Sequence, residues 1–291
     1  MGITAVWLRS IGAGGDPITI FGSAAIKTKR ILMGTAITQI WGQHPVMLAN
    51  QAQALSLLSR GRFRLGLGTS AWRLMDRIYG VSFNPPLGHL KEYVQILKGI
   101  LQNGSITYDG KYFTARTEEP LDPFPPKVPV MVSALRVKSF ALAGSEADGV
   151  ISWVCPHPYL RDIALPELRN AAAKVGRQSP PLIVHVPVCV HETIEEAREG
   201  FREELGYYPR TRLYAKMLAN AGFPNAQETG WTNEMSDTLL VSGNEEQVEE
   251  KLLKIFSWGA SELIVTIIPA GPDKTASLKR TEKFLAQISN L

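Results

Sequence analysis

Two glycine-containing turns at the ends of apolar runs are the first residues in this sequence whose spacing suggests chemistry. Gly66-Leu67-Gly68-Thr69 ends the run FRLGLG, and its G-x-G-T spacing suggests a phosphate-binding loop. A dinucleotide-binding loop needs a third glycine, and Ser70-Ala71-Trp72 follows here instead. At the end of a barrel strand, glycines let a flat ring approach the backbone closely. We favour that interpretation of Gly68, Thr69 and Ser70, with plain turn geometry as the alternative.

Two further turns offer contacts for a ligand. Gly34-Thr35-Ala36-Ile37 closes another apolar run, and Ser133-Ala134-Leu135-Arg136 lies between the run VPVMV and the helical pattern VKSFALAG. The N-terminus of a helix presents free backbone N–H groups that bind phosphate. The sequence therefore predicts an anion contact near Arg136, whose side chain adds positive charge.

The titratable side chains do not form a metal site. No pair of histidines has His-Glu-x-x-His spacing, and Cys155 and Cys189 are in no Cys-x-x-Cys pattern. We expect no metal, no disulfide and a cytoplasmic protein. His44 either caps a helix or lines a cofactor site, while His157 and His185 lie where they would touch a ligand or point into a barrel.

Seven short apolar runs must position these turns, and they alternate with amphipathic helical patterns. The runs are continuous rather than alternating in polarity, which is typical of a parallel sheet covered by helices. The predicted strands are Ile3–Leu8, Arg30–Thr35, Arg62–Leu67, Val128–Ser133, Gly149–Trp153, Leu182–Val190 and Glu262–Ile268.

This repetition over 291 residues predicts the α/β class, and within it one (β/α)8 TIM barrel spanning residues 1–291. Such a barrel needs eight strands and the sequence shows seven, so a strand is either missed or absent. The irregular stretch Tyr207 to Asp237 is predicted to be an insertion or lid near the barrel mouth.

Composition excludes several classes of protein. The formal net charge is +4 and the basic residues are scattered, so we expect no nucleic-acid partner. There is no apolar run of about 18 residues, so we expect no membrane span. The first residues lack the pattern of a signal peptide.

The ordered series of motifs resembles the bacterial luciferase-like family of flavin- and deazaflavin-dependent oxidoreductases. The similarity runs through GTA, HPVMLANQAQALSLLS, GRFRLGLGTS, KEYVQILKGIL, VPVMVSALRVKSFALAGSEADGVI, LLVSGNEEQVEEKL and WGASELIV. It covers nearly the whole chain except Tyr207 to Asp237, and it is strongest to the coenzyme F420 branch. In the family, GITAVW would be the second strand, so the resemblance implies that the first βα unit is missing from this numbering.

The resemblance implies a cofactor and a set of contacts. The cofactor is coenzyme F420, with FMN as the alternative, and its C5 would exchange a hydride with an organic substrate. A cis peptide bond at Ala36–Ile37 would form a bulge behind the central ring. The implied cofactor-binding residues are Thr35, Ala36, Ile37, His44, Gly68, Thr69, Ser70, Ser133, Ala134, Leu135 and Arg136. The family usually has a glycine in the Ser133–Arg136 turn, and this chain has none.

The implied catalytic side chain is Glu92, which lies in HLKEYV where the branch carries a carboxylate proposed as a proton donor. The alternative is a structural carboxylate that pairs with neighbouring groups. The branch's sugar-phosphate dehydrogenases carry an Asp-His after the second strand. Here that strand runs into LRSIGAGGD, which disfavours glucose 6-phosphate oxidation. We expect a small-molecule substrate, a homodimer, and either an F420- or FMN-dependent enzyme or a non-catalytic flavin-binding relative.

Overall fold

The computed structural model describes residues 3–10, 14–81, 85–118 and 126–289. The chain packs as two compact units. The N-terminal unit comprises Thr4–Ser133 and Leu142–Val150, and the C-terminal unit comprises Ala134–Ala141 and Ile151–Leu291. Helix α5 (Val137–Glu146) and strand β8 (Gly149–Ser152) each run from one unit into the other.

Four parallel strands form the sheet of the N-terminal unit. Their order is β1 (Ala5–Leu8), β2 (Leu32–Thr35), β4 (Phe63–Gly68) and β7 (Val130–Ser133). Leu8 pairs with Thr35, Met33 with Phe63, and Leu65 with Val130. Because the strands are parallel, their carboxyl ends share one edge of this sheet.

The helices of this unit begin where the sequence places helix-starting residues. Helix α1 (Pro17–Lys27) starts after Asp16, whose carboxylate accepts the Thr19 N–H at 2.7 Å. Helix α2 (Pro45–Ser59) starts after His44, and it ends at Arg60 in the left-handed conformation. Helices α3 (Trp72–Tyr79) and α4 (Pro86–Asn103) follow β4.

The structure also contains short strands that the sequence did not predict. The two-residue strand β3 (Thr38–Gln39) pairs with β4, and β5 (Ile106–Asp109) forms an antiparallel hairpin with β6 (Thr114–Thr117). Strands of two to four residues are too short to show a period. An Asp-Gly pair at the hairpin turn was the available signal, since such pairs favour turns.

In the C-terminal unit, β9 (Leu182–Val190) is the central strand and all nine of its residues are buried. It pairs in parallel with β10 (Val241–Gly243) and with β11 (Ala260–Ile267). All seven predicted strands are therefore present, with ends shifted by no more than two residues. The predicted parallel α/β class is confirmed.

Helices cover β9 and its neighbours. The segment after β8 contains a short helix, α6 (His157–Tyr159), a π-helical turn (Leu160–Ala164) and α7 (Leu165–Lys174). The other long helices are α8 (Ile194–Leu205), α12 (Glu245–Ser257) and α13 (Lys274–Ile288). None of the helices in the described ranges is long and apolar enough to cross a membrane.

The segment predicted to be an insertion is helical rather than irregular. It contains α9 (Arg212–Asn220), α10 (Ala226–Thr229) and α11 (Asn233–Asp237). Trp231 anchors it, because the indole is 6% exposed and donates to the Leu205 carbonyl at 2.8 Å. A lid function for this segment stays a prediction.

Candidate functional site

Three of the residues predicted to contact a cofactor end adjacent strands of the N-terminal unit. Thr35 ends β2, Gly68 ends β4 and Ser133 ends β7. Active sites of strand–helix barrels lie at the carboxyl ends of the strands. The topology therefore brings these residues to the sheet edge where a ligand would bind.

The Thr35 hydroxyl makes its hydrogen bonds within the sheet. The side chain is fully buried, donates to the Gly66 carbonyl at 2.8 Å and accepts the Gly66 N–H at 2.9 Å. This pair of bonds ties β2 to β4 just before both strands end. Thr35 thus positions the strand ends.

The residues after Thr35 leave the strand through a cis peptide bond between Ala36 and Ile37. The cis bond is the geometry that the family resemblance predicted at this position. The Ala36 N–H donates to the Leu8 carbonyl at 2.8 Å, and the Ser10 N–H donates to the Ile37 carbonyl at 3.2 Å. The turn is therefore held against the end of β1.

Gly68 lies very close to Ile37 and Ser133, two other residues that were predicted to contact the cofactor. A Cβ atom on Gly68 would lie 2.2 Å from Cδ1 of Ile37 and 2.4 Å from the Ser133 hydroxyl oxygen. These two side chains fill the space on the Cβ side of Gly68, and the approach of a ring to this glycine stays a prediction. The structure thus brings Ile37, Gly68 and Ser133 together, with the glycine as the point of contact.

Thr69 and Ser70 continue the same edge and are both half-buried. The Thr69 carbonyl accepts a 2.6 Å hydrogen bond from the Trp41 indole N–H. Ser70 has a φ of 51°, which is uncommon for a residue with a side chain and typical of functional turns. This loop is held in a defined shape by Trp41.

Thr38, which follows the cis bond, was not among the residues predicted from the sequence. Its side chain is 9% exposed, and its hydroxyl oxygen is buried with no hydrogen-bond partner in the part of the chain that the structure describes. A buried hydroxyl left without a partner costs roughly 1–3 kcal/mol. The position of Thr38 three residues after Thr35 was the only signal available in the sequence.

His44 and His89 line a cleft on the same unit, bounded by Ile40, Trp41, Gly42, Gln43, His44, Val81, His89 and Phe113, with a volume of about 310 Å³. His44 accepts the Val46 N–H through Nδ1 at 3.3 Å. It therefore caps α2, which was one of the two roles predicted for it. Its ring also meets Phe113 edge-on at 5.6 Å. The contact between His44 and a cofactor stays a prediction.

Glu92, the predicted catalytic residue, anchors the hairpin turn between β5 and β6. Its carboxylate accepts the backbone N–H groups of Lys111 at 2.9 Å, Tyr112 at 2.8 Å and Phe113 at 3.1 Å. Gly110 packs so closely that a Cβ atom there would lie 2.4 Å from Oε2 of Glu92. The geometry gives Glu92 a structural role, and its role as a proton donor stays a prediction.

We expect Glu92→Gln to lower the free energy of unfolding by about 1–3 kcal/mol, because one carboxylate oxygen that accepts N–H groups becomes an NH₂ donor. Chemical denaturation measures the change. Glu250→Gln, on the exposed face of α12, is the control and should change stability by less than about 0.5 kcal/mol. Unchanged stability together with a large loss of turnover would instead assign Glu92 to proton transfer.

The other predicted cofactor residues, Ala134, Leu135 and Arg136, belong to the C-terminal unit. Ala134 is buried, and Arg136 is exposed at the start of α5. The Ser139 hydroxyl accepts the N–H groups of Leu135 at 3.1 Å and Arg136 at 3.0 Å. Two of the amides that a phosphate would use are therefore already bonded, so the predicted phosphate contact at this turn would depend on the Arg136 side chain or on rotation of Ser139.

Trp153, Cys155 and His157 follow β8 in the C-terminal unit, and of these Cys155 is buried and the other two are half-buried. Trp153 stacks on His185 at 3.8 Å, and His185 bonds Thr266 through Nε2 at 2.9 Å. Burial lowers the pKa of His157 to about 4 and raises the pKa of Cys155 to about 12. Both are neutral near pH 7, which suits packing rather than acid–base or nucleophilic chemistry. Within the described ranges, no three His, Cys, Asp or Glu side chains are grouped to hold a metal ion.

Comparison with known proteins places these features in a family. A family model described as luciferase-like monooxygenase matches residues 1–262. The 5,10-methylenetetrahydromethanopterin reductase of Archaeoglobus fulgidus is 25% identical over 276 residues, which cover 88% of this chain and 82% of that protein.

Solved structures share the fold. An F420-dependent secondary alcohol dehydrogenase, in complex with an F420–acetone adduct, superposes with a TM-score of 0.79 at 16% identity, covering 98% of this chain and 89% of that one. The oxygenating constituent of 3,6-diketocamphane monooxygenase from Pseudomonas putida, in complex with FMN, gives 0.74 at 20% identity, covering 98% and 87%. The expected fold, that of the luciferase-like (β/α)8 enzymes, is therefore confirmed. The chain belongs to the luciferase-like monooxygenase family.

Proposed function

We propose that this protein is a coenzyme F420-dependent oxidoreductase that transfers a hydride between the deazaflavin and a small organic substrate. The observation that carries the proposal is the cluster of Ile37, Gly68 and Ser133 near the carboxyl ends of adjacent strands, in a chain that shares its fold with an F420-dependent secondary alcohol dehydrogenase. When bound, the deazaflavin supplies the hydride chemistry at its C5.

The residues at this edge fit a flat polar ring. Ile37 presents an apolar surface beside Gly68, and the Ser133 hydroxyl lies on the same side of that glycine. We propose that Ile37 packs against one face of the ring and that Ser133 bonds its polar edge. These contacts would hold the ring in one orientation and exclude water from its face, which is how a protein promotes hydride transfer.

Thr35 and Trp41 are proposed to position the residues that contact the ring. Thr35 ties β2 to β4, and Trp41 holds the Thr69 carbonyl. Fixing these neighbours keeps the contact residues near one geometry, which matters because misplacement by about 1 Å can cost about a hundredfold in rate. The contact of Arg136 with the cofactor phosphate, the cytoplasmic location and the homodimer also stay proposals.

FMN is the second candidate cofactor because a neighbouring structure contains it. Turnover separates the two. We expect anaerobic incubation of the protein with reduced F420 and a panel of ketones, aldehydes and activated alkenes to regenerate oxidised F420 with at least one acceptor. Oxygen-dependent oxidation of NADH that requires FMN would favour a monooxygenase. The absence of activity with F420 and with FMN would favour a non-catalytic relative.

A further inference from the structure

The cleft of the N-terminal unit has the size and walls of a small-molecule site. We call it the aromatic cleft and define it by Ile40, Trp41, His44, Val81, His89 and Phe113. Its volume of about 310 Å³ is at the lower end of the range for such sites. All of its lining residues belong to one compact unit, and none of them carries a permanent charge.

Flat rings form the walls of the aromatic cleft and are held in place. The Trp41 and His89 rings stack with centroids 4.4 Å apart and planes 18° apart. Phe113 lies 4.5 Å from His89, and its backbone N–H is bonded to Glu92. The Trp41 indole is fixed by its 2.6 Å bond to the Thr69 carbonyl. The cleft is therefore preformed, which lowers the entropy cost of binding.

His89 supplies a polar group that the fold does not use. The side chain is 8% exposed, and no hydrogen bond from the described residues reaches either ring nitrogen. Nδ1 is completely shut off from solvent, so Nε2 is the edge that a ligand can reach. Burial lowers the pKa of His89, with Glu92 opposing the shift, so the ring is neutral near pH 7. A neutral imidazole donates at one nitrogen and accepts at the other.

We propose that the aromatic cleft binds a small, flat, largely apolar and uncharged molecule that carries one hydroxyl or N–H group, which bonds His89. The accessible parts of Trp41, Phe113, Ile40 and Val81 line the cleft and would supply apolar contact. We further propose that this site is separate from the F420 site, because Ile37, Gly68 and Ser133 do not line the aromatic cleft. His44 then serves the aromatic cleft and the start of α2.

The test compares 2-naphthol with naphthalene, which lacks the hydroxyl. A hydroxyl both donates and accepts, so it suits either tautomer of His89. The readout is the indole N–H signal of Trp41 in ¹⁵N-labelled protein, identified by its loss in Trp41→Phe. We expect saturable shifts of this signal and a Kd for 2-naphthol about 3–10-fold lower than for naphthalene, the effect of one net hydrogen bond.

Two variants make the test specific. His89→Phe keeps the ring and removes the nitrogens, so the preference for 2-naphthol should fall to about onefold. Val81→Trp fills the space from the half-buried rim and should abolish binding of both compounds. The proposal is overturned if 2-naphthol does not shift the Trp41 signal, if the two ligands bind wild type equally, or if His89→Phe keeps the preference.

Independence from the cofactor is measured by repeating the 2-naphthol titration with excess F420. An unchanged Kd supports a separate site, and competition overturns it. The binding of F420 itself is scored in the same experiment. A protein that binds 2-naphthol at Trp41 but no F420 would contradict the proposed function while leaving the aromatic cleft assigned.

Discussion

Replacing Gly68 with alanine should weaken F420 binding by at least about tenfold. The added Cβ would lie 2.2 Å from Cδ1 of Ile37 and 2.4 Å from the Ser133 oxygen, distances at which atoms overlap. Both side chains would have to rotate away, and in the proposed site both contact the ring. We expect a stability loss of only about 1–3 kcal/mol, because side-chain ends can move.

F420 titration of Gly68→Ala and wild type measures this effect, and chemical denaturation measures the stability cost. Gly22→Ala is the matched control, since a Cβ there meets nothing within 4 Å. That variant lies inside α1, where alanine is favoured by up to about 1 kcal/mol, and it should bind F420 like wild type. Wild-type affinity in Gly68→Ala would show that the ring does not bind at this edge.

Gly200→Ala should have the largest effect on stability of the substitutions considered. Gly200 lies in α8, where a Cβ would be 2.3 Å from the Pro269 carbonyl oxygen and 3.1 Å from Cγ2 of Ile268. The Pro269 oxygen is backbone and cannot rotate away, so the helix must move off the segment that follows β11. We expect a loss of about 3 kcal/mol or more, despite the better helix propensity of alanine.

Chemical denaturation of Gly200→Ala, again with Gly22→Ala as control, checks this prediction. The two glycine variants should differ in what they change. Gly68→Ala should mainly lower F420 affinity, and Gly200→Ala should mainly lower the free energy of unfolding. Stability of Gly200→Ala within 1 kcal/mol of wild type would mean that α8 does not pack on the Pro269 backbone as the structure has it.

The strands were predictable because each is a continuous apolar run buried by helices. The run LIVHVPVCV matches β9 residue for residue. The helix start at His44 was predicted, and the start at Asp16 carries the same local signals, a capping side chain and a following proline. By contrast, β3 has two residues and β10 has three, too few to show a sequence pattern. They are strands because β3 pairs with β4 and β10 pairs with β9.

The geometry of the strand ends was partly predictable, and the hydrogen-bond partners of the side chains there were not. The resemblance predicted the cis bond and the turn at Gly68, because those features follow the motif. The partners of Glu92, Thr35 and Leu135 were not predictable. Each bonds backbone or side-chain groups whose positions depend on tertiary packing, such as the turn after β5 for Glu92. Thr38 and His89 stand out only because each has a buried polar atom with no hydrogen-bond partner in the described ranges.

The most direct test of the proposed function is a pair of equilibrium titrations of the wild-type protein, one with F420 and one with FMN, followed by intrinsic tryptophan fluorescence. Trp41 contacts the loop after β4 through Thr69, so an occupied site should change the signal. We predict saturable binding of about one F420 per chain, tighter than any binding of FMN. Tighter binding of FMN, or no saturable binding of F420, would contradict the proposal.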